Sequence, residues 1–248
     1  MYLKNFLKNN LPDLLLIFLY KIILCTRILF LRTQIIYCPI CVKSKKTFYT
    51  GLFPWVSLVC TGCLSISRHR LIINYLKKNY NLNKKKIIHF APEPSLSKFI
   101  NKNYKIQKYD KVDLIPRKEI VHINIENINN SYNYNYDLVI CNHVLEHVNF
   151  IKAISNLKKI VKKNGVILLT FPIVDSWEKN YINKKIKNHH DRLLHFRQFD
   201  HLQLFGREIK KYLADKNFSC TKYIATGKES VKFGLIQGET LFILKKIK

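Results

Sequence analysis

The sequence predicts an α/β chain: a mostly parallel sheet flanked by helices, with a small cysteine-bearing module ahead of it. Three observations carry that expectation. From Ile87 onward, short apolar runs alternate with helical stretches, the rhythm of strands joined by right-handed crossovers. Tyr136 to Cys141 reads as a buried parallel strand, without the alternation of a half-exposed one. Upstream, Cys38-Pro39-Ile40-Cys41 and Cys60-Thr61-Gly62-Cys63 form two CxxC pairs. With 248 residues the chain has room for one domain of ordinary to large size and a small module.

In chain order, residues 1–35 form an apolar, basic helical segment, 36–66 the cysteine module and 67–248 the α/β domain. The apolar stretch runs over residues 11–37, where Lys21, Arg27 and Arg32 interrupt it. A spanning helix wants about 20 predominantly apolar residues with few charges. A signal peptide wants a cleavage site of small residues, and none follows. A helix lying on an anionic bilayer with snorkelling cations fits better, and a helix packed on the domain or on a second copy is the alternative. Leu64 to Leu76 reads as a helix. Strands are expected at Ile87 to Phe90, Tyr104 to Tyr109 (closed by Asp110), Ile120 to Ile125, Tyr136 to Cys141 and Val166 to Phe171. Ile151, Ile154, Leu157, Ile160 and Val161 repeat at helical spacing, and Lys163-Asn164-Gly165 supplies a cap and turn. His201 to Lys216 reads as a helix, and Phe218 to Thr226 with Glu239 to Lys245 as a closing antiparallel pair. The stretch from Val174 to Asp200 is a long, polar, His-rich loop, and loops of that length usually carry function.

Four thiolates are what a tetrahedral zinc ion needs, and two CxxC turns separated by 18 residues can bring them together on two knuckles. Gly62 suits the tight turn of the second knuckle. Two disulfides are the alternative, but a secreted disulfide scaffold would be smaller and richer in cysteine. Structural zinc on Cys38, Cys41, Cys60 and Cys63 implies reduced thiols and a cytoplasmic setting, with residues 11–37 offering peripheral contact at the inner face of a membrane. Cys25, Cys141 and Cys220 sit in apolar runs and read as buried free thiols.

The formal charge of +27 comes from 35 Lys against 8 Arg, spread along the chain. Enrichment in Lys, Asn, Ile and Tyr is what an A+T-rich coding sequence would give. A dedicated nucleic-acid binder clusters its cations on one face, with Arg well represented. Nucleic acid is therefore not the favoured partner. The 48% hydrophobic content excludes wholesale disorder.

Several segments together resemble a known family. Tyr136 to Val148, which contains Leu145-Glu146-His147-Val148, is similar to the strand-four "LEHV" signature of class I S-adenosylmethionine-dependent methyltransferases. Lys162-Lys163-Asn164-Gly165 resembles the "LKPGG" turn before their fifth strand. His89-Phe90-Ala91-Pro92-Glu93 resembles the "HFAPE" first motif of members bearing a zinc ribbon. Ser67 to Leu71 resembles their "ERHRL" linker, and Phe199 to Arg207 their "DHVRxYG" segment. The resemblance covers roughly residues 36 to 245. It implies a Rossmann-like seven-stranded sheet with a four-cysteine zinc ribbon. It also implies methyl transfer from S-adenosylmethionine to a small-molecule, glycan or lipid-linked acceptor. A non-catalytic zinc-containing binding protein and an RNA methyltransferase are the rival readings.

The resemblance also implies a site. The cofactor would lie outside the carboxyl ends of the parallel strands. His89, Phe90, Ala91 and Glu93 stand where a Gly-rich loop is usual, and no Gly occurs between Gly62 and Gly165. Small Ala91 and Ser95 must then allow the close approach. Asp110 would hold the ribose, Asn124 and Ile125 would frame the adenine, and Asn142 would face the amino-acid end. His143 or His201 would serve as base for a hydroxyl acceptor. Apart from the resemblance, His189, His190, His195 and His201, with Asp191, Arg197 and Asp200, crowd the late loop and its exit, where they either line the acceptor pocket or belong to a solvated loop. His143, Glu146 and His147 share one face if helical, and could bind a divalent ion or act as acid and base. The blander reading, preferred on the sequence, is that Glu146 and His147 stabilise a helix start.

Overall fold

The computed structural model describes residues 22, 33–49, 58–128 and 135–247. They divide into two compact units, Met1–Ile73 with Ala225–Gln237, and Asn74–Ile224 with Gly238–Lys248.

The first unit holds a three-stranded antiparallel sheet, β1 (Thr33–Cys38), β2 (Lys43–Tyr49) and β3 (Leu58–Cys60), with β2 in the middle. The expected membrane-facing segment lies outside the described residues except Ile22 and residues 33–37. Those last five are strand, not helix. Ile35 is 71% exposed and Ile36 3%, the period-two alternation of a half-covered sheet. Helix α1 (Ser67–Asn79) begins in this unit. Its Arg70 is fully buried and donates to the carbonyls of Leu58 (2.8 Å), Ser65 (2.5 Å), Phe233 (2.7 Å) and Gly234 (2.5 Å). One guanidinium thus satisfies carbonyls from the sheet, the second knuckle and the 225–237 segment, using its forked donors. No described helix is long and apolar enough to cross a membrane.

The second unit is built on the expected α/β sheet. Its elements are β4 (Lys86–Phe90), α2 (Pro94–Asn103), β5 (Lys108–Asp113), β6 (Val121–His122), β7 (Tyr136–Asn142), α3 (Phe150–Ile160) and β8 (Val161–Thr170). There follow β9 (Tyr181–Ile182), α4 (His189–Phe196), β10 (Gln203–Leu204), α5 (Lys210–Leu213), β11 (Phe218–Ile224) and β12 (Thr240–Lys246). Helix α6 (Gly227–Phe233) belongs to the first unit. Among the described residues the large sheet has seven strands in the order β11-β12-β8-β7-β4-β5-β6. β12 runs antiparallel to β8 and β11, and the other neighbours are parallel. This is the class I methyltransferase-type, Rossmann-like sheet that the resemblance implied.

Burial explains the elements. In α3, Phe150, Ala153, Ile154, Leu157 and Ile160 pack with Val139, Cys141, Ile167 and Leu169 of β7 and β8 in one core. Asn149 caps the helix by accepting from the Lys152 amide at 3.2 Å. Four expectations need correction. The second strand of this sheet runs Lys108–Asp113, later than expected, because Tyr104 still closes α2 through its amide on Ile100. The third shrinks to Val121–His122. Strand β8 starts at once after α3, with Asn164 in the left-handed region (φ 62°) and Gly165 so close to Tyr136 that a Cβ would lie 2.9 Å from its carbonyl oxygen. The helix expected over 201–216 is confined to Lys210–Leu213, since Gln203 and Leu204 pair with β9. The preceding loop is itself partly ordered, as β9 and α4. Of the remaining thiols, Cys141 is buried, Cys220 is only half-buried, and Cys25 lies outside the described residues.

Candidate functional site

At the carboxyl ends of β4 and β7 the strand order reverses, β5 lying on one side and β8 on the other. Such switch points are where open α/β sheets bind ligands. A cleft opens there, lined by Phe90, Ala91, Asp113, Leu114, Ile123, Asn124, Ile125, Val144 and Val148. Ala91 holds a left-handed backbone (φ 47°) and its amide donates to Val112 at 2.8 Å. A non-glycine residue in that region is strained, and such strain gathers at functional sites. His143, just past β7, is also left-handed, with φ 51°.

The structure sorts the expected cofactor residues into two groups. Phe90, Ala91, Asn124 and Ile125 line the cleft. His89, Glu93 and Asn142 form a polar chain. His89 is fully buried, with Nε2 2.9 Å from Glu93 Oε2 and Nδ1 2.9 Å from the Tyr109 hydroxyl. Asn142 Nδ2 donates to Glu93 Oε1 at 2.8 Å, and Thr170 Oγ1 donates to Asn142 Oδ1. Burial pushes the Tyr109 phenol above its usual value. Asn124 turns its carbonyl back onto the Glu126 amide at 2.8 Å.

Asp110 is not at the cleft. It sits in mid-strand, opposite Ile88, where its carboxylate accepts from the Tyr136 hydroxyl and pairs with Lys108 at 2.8 Å. Because β5 runs on to residue 113, the carboxylate that reaches the cleft is Asp113. A correct strand boundary would have found it in the sequence.

The four cysteines converge. Their sulfurs lie within 4.8 Å of one another, with Cys38–Cys63 at 3.6 Å and Cys41–Cys60 at 3.8 Å, and none forms a disulfide. Four thiolates bound at about 2.3 Å to a tetrahedral zinc ion stand about 3.8 Å apart. The two knuckles are alike: the Val42 amide donates to Cys38 and the Leu64 amide to Cys60, both at 2.8 Å, and Val42 and Leu64 are left-handed at φ 57° and 61°. Gly62 is required for space, since a Cβ would lie 3.0 Å from Cys41 Sγ. Thiol hydrogen bonds from Cys60 and Cys63 hold Cys38 well below the ordinary thiol value, whereas burial beside Cys38 and Cys60 pushes Cys41 up to about 12. The donor set fits a closed structural zinc site.

The late histidines divide. His189 and His190 open α4 and are exposed, and His195 bonds the Tyr181 hydroxyl at 2.7 Å. His201 is buried instead of lining an open acceptor pocket, and its Nδ1 meets the Phe196 carbonyl at 3.2 Å. Burial pulls its pKa below the usual value. It stacks edge-on against His147, with ring centroids 4.7 Å apart. The segment Leu145–His147 is a single 3-10 turn, and the Glu146 carboxylate caps no helix: Oε1 pairs with His143 Nδ1 at 3.0 Å and Oε2 is buried without a hydrogen-bond partner. The expectation that Glu146 stabilises a helix start therefore fails, because Asn149 performs that task. Gln203, which the sequence did not single out, fixes this turn by donating to the carbonyls of Leu145 (2.7 Å) and Val148 (2.8 Å).

The sequence profile of a methyltransferase domain family matches residues 66–223. The chain belongs to this methyltransferase-domain family. A 58-residue segment is 38% identical to an uncharacterized protein of Methanocaldococcus jannaschii, spanning 23% of this chain and 26% of that one. Among solved structures, an S-adenosylmethionine-dependent methyltransferase from Clostridium acetobutylicum aligns with TM-score 0.46 and 14% identity, over 72% of this chain and 90% of that one. The N-methyltransferase NodS of Bradyrhizobium japonicum, solved with S-adenosylhomocysteine, aligns with TM-score 0.44 and 12% identity, over 73% and 86%.

Proposed function

We propose that the protein transfers the methyl group of S-adenosylmethionine to a small-molecule or glycan acceptor, with the cofactor in the cleft between β4 and β7. The observation that carries this reading is a cleft at the switch point with a carboxylate, Asp113, on its rim and apolar walls around it. Asp113 would accept the ribose hydroxyls. Leu114, Ile123, Ile125, Val144 and Val148 would sandwich the adenine, and the His89–Glu93–Asn142 chain would present a fixed negative charge to the cofactor's ammonium. When bound, the cofactor supplies an electrophilic methyl on a sulfonium, so the protein's task is mainly alignment. His143, strained and partly exposed at the end of β7, would take a proton from a hydroxyl acceptor, with Glu146 beside its Nδ1 at 3.0 Å.

In this reading Cys38, Cys41, Cys60 and Cys63 hold one structural zinc ion that lends folding free energy to the first unit. The sulfur spacing and the matched knuckles support it. Isothermal titration of the full chain with S-adenosylmethionine and S-adenosylhomocysteine tests the cofactor site. Binding at one site per chain is expected, and no heat with either ligand would overturn the assignment. A screen of metabolites and glycans with methyl-labelled cofactor then identifies the acceptor. If label went only into RNA, the small-molecule reading would be wrong.

A further inference from the structure

The geometry points to a second metal site, separate from the cysteines, in which Glu146, His147 and His201 bind a divalent transition ion.

Glu146 is fully buried, with Oε1 3.0 Å from His143 Nδ1 and Oε2 without a hydrogen-bond partner. A carboxylate removed from water needs cations or donors around it to offset its lost hydration.

The two histidines are set as metal ligands are. His147 Nδ1 meets the Asp200 carbonyl and His201 Nδ1 the Phe196 carbonyl, each at 3.2 Å. A carbonyl can only accept, so each Nδ1 carries the hydrogen. In the neutral ring Nε2 then holds a free lone pair. Ligating histidines are commonly oriented by this kind of second bond. One ligand atom from each of Glu146, His147 and His201 lies within 4.8 Å of the others. Ligands of a closed site at about 2.1 Å stand about 3.4 Å apart, a gap that modest side-chain rotation covers.

The backbone keeps the three together. The Leu202 amide donates to the Glu146 carbonyl at 2.9 Å, and Gln203 clamps the same turn. Two imidazoles and one carboxylate suit zinc, iron or manganese, not magnesium or calcium, which want oxygen alone. Three protein ligands leave a coordination position open, as catalytic sites do and closed structural sites do not.

The test counts metal and does not depend on methyl transfer. The full chain is dialysed against Zn2+ and analysed for bound metal. Two ions per chain are expected. Glu146→Gln and His147→Gln should each weaken one of them at least about tenfold, the scale on which even outer partners matter, and leave the other unchanged. Cys60→Ser should release the opposite ion. The unchanged cysteine-bound ion and a retained cooperative melting transition show that a variant is folded. Cobalt replacing the ion lost in Glu146→Gln should give a spectrum free of thiolate charge transfer. A single zinc ion in the native chain, lost only in Cys60→Ser, would overturn the site. So would a second ion indifferent to both Glu146→Gln and His147→Gln.

Discussion

Asp110 and Asp113 lie on one strand and have opposite duties. Asp110 is held by Tyr136 and Lys108 in mid-sheet, whereas Asp113 opens onto the cleft. Asp113→Ala should weaken S-adenosylhomocysteine by about 1.5–3 kcal/mol, the usual worth of hydrogen bonds to a charged group. Asp110→Ala should leave that dissociation constant unchanged and lower stability instead. Calorimetry on the two variants checks both. Asp137 makes a second residue-scale prediction. It accepts from the Lys86 amide at 2.9 Å and pairs with Lys162 at 2.6 Å and Lys85 at 3.4 Å. Burial would raise its pKa, but these cations and the amide outweigh it and hold it below the ordinary aspartate value. Its stabilisation is present above the unfolded value and is lost as pH falls through the lower, folded one. Asp137→Asn should therefore destabilise the chain near neutrality and flatten the loss of stability below about pH 4. Chemical denaturation across that range decides it, and an unchanged slope would contradict the pairing.

At the scale of elements, the ribbon and the buried Arg70 make separate predictions. Cys60→Ser should strip one metal ion and lower the melting point of the first unit, because structural zinc contributes folding free energy. Arg70→Lys keeps the charge but loses the fork that serves the Leu58, Ser65, Phe233 and Gly234 carbonyls. It should cost at least about 1.5–3 kcal/mol in unfolding free energy without releasing the metal. The elements also show what a sequence exposes. Strands β4, β7 and β8 were legible because both their faces are buried, so their apolar runs stand out. Strand β5 reads Lys-Tyr-Asp-Lys-Val-Asp, with only Val112 buried, and leaves little local pattern. That misplacement carried the cleft-facing carboxylate with it, from Asp113 to Asp110. The His201 segment was misread for a different reason: β10 exists by pairing with Tyr181–Ile182, a long-range contact that no local periodicity reports. The same pairing carries His201 to Glu146. The cysteine knuckles, by contrast, are local, and their spacing alone announced them.

For the molecule as a whole, the charge of +27 will attract polyanions whether or not they are substrates. Binding to random RNA should fall steeply between low and physiological salt, as counterion release requires, while cofactor affinity should hold. Salt-resistant RNA binding would instead favour an RNA acceptor. Methyl transfer itself rests on one claim, that the β4–β7 cleft binds S-adenosylmethionine although its first loop carries a strained Ala91 in place of glycine. Isothermal titration of the zinc-loaded full chain with S-adenosylhomocysteine tests this most directly. The expected result is one saturable site per chain, lost or strongly weakened in Asp113→Ala and retained in Asp110→Ala. A flat titration of folded protein, or affinity untouched by Asp113→Ala, would contradict it.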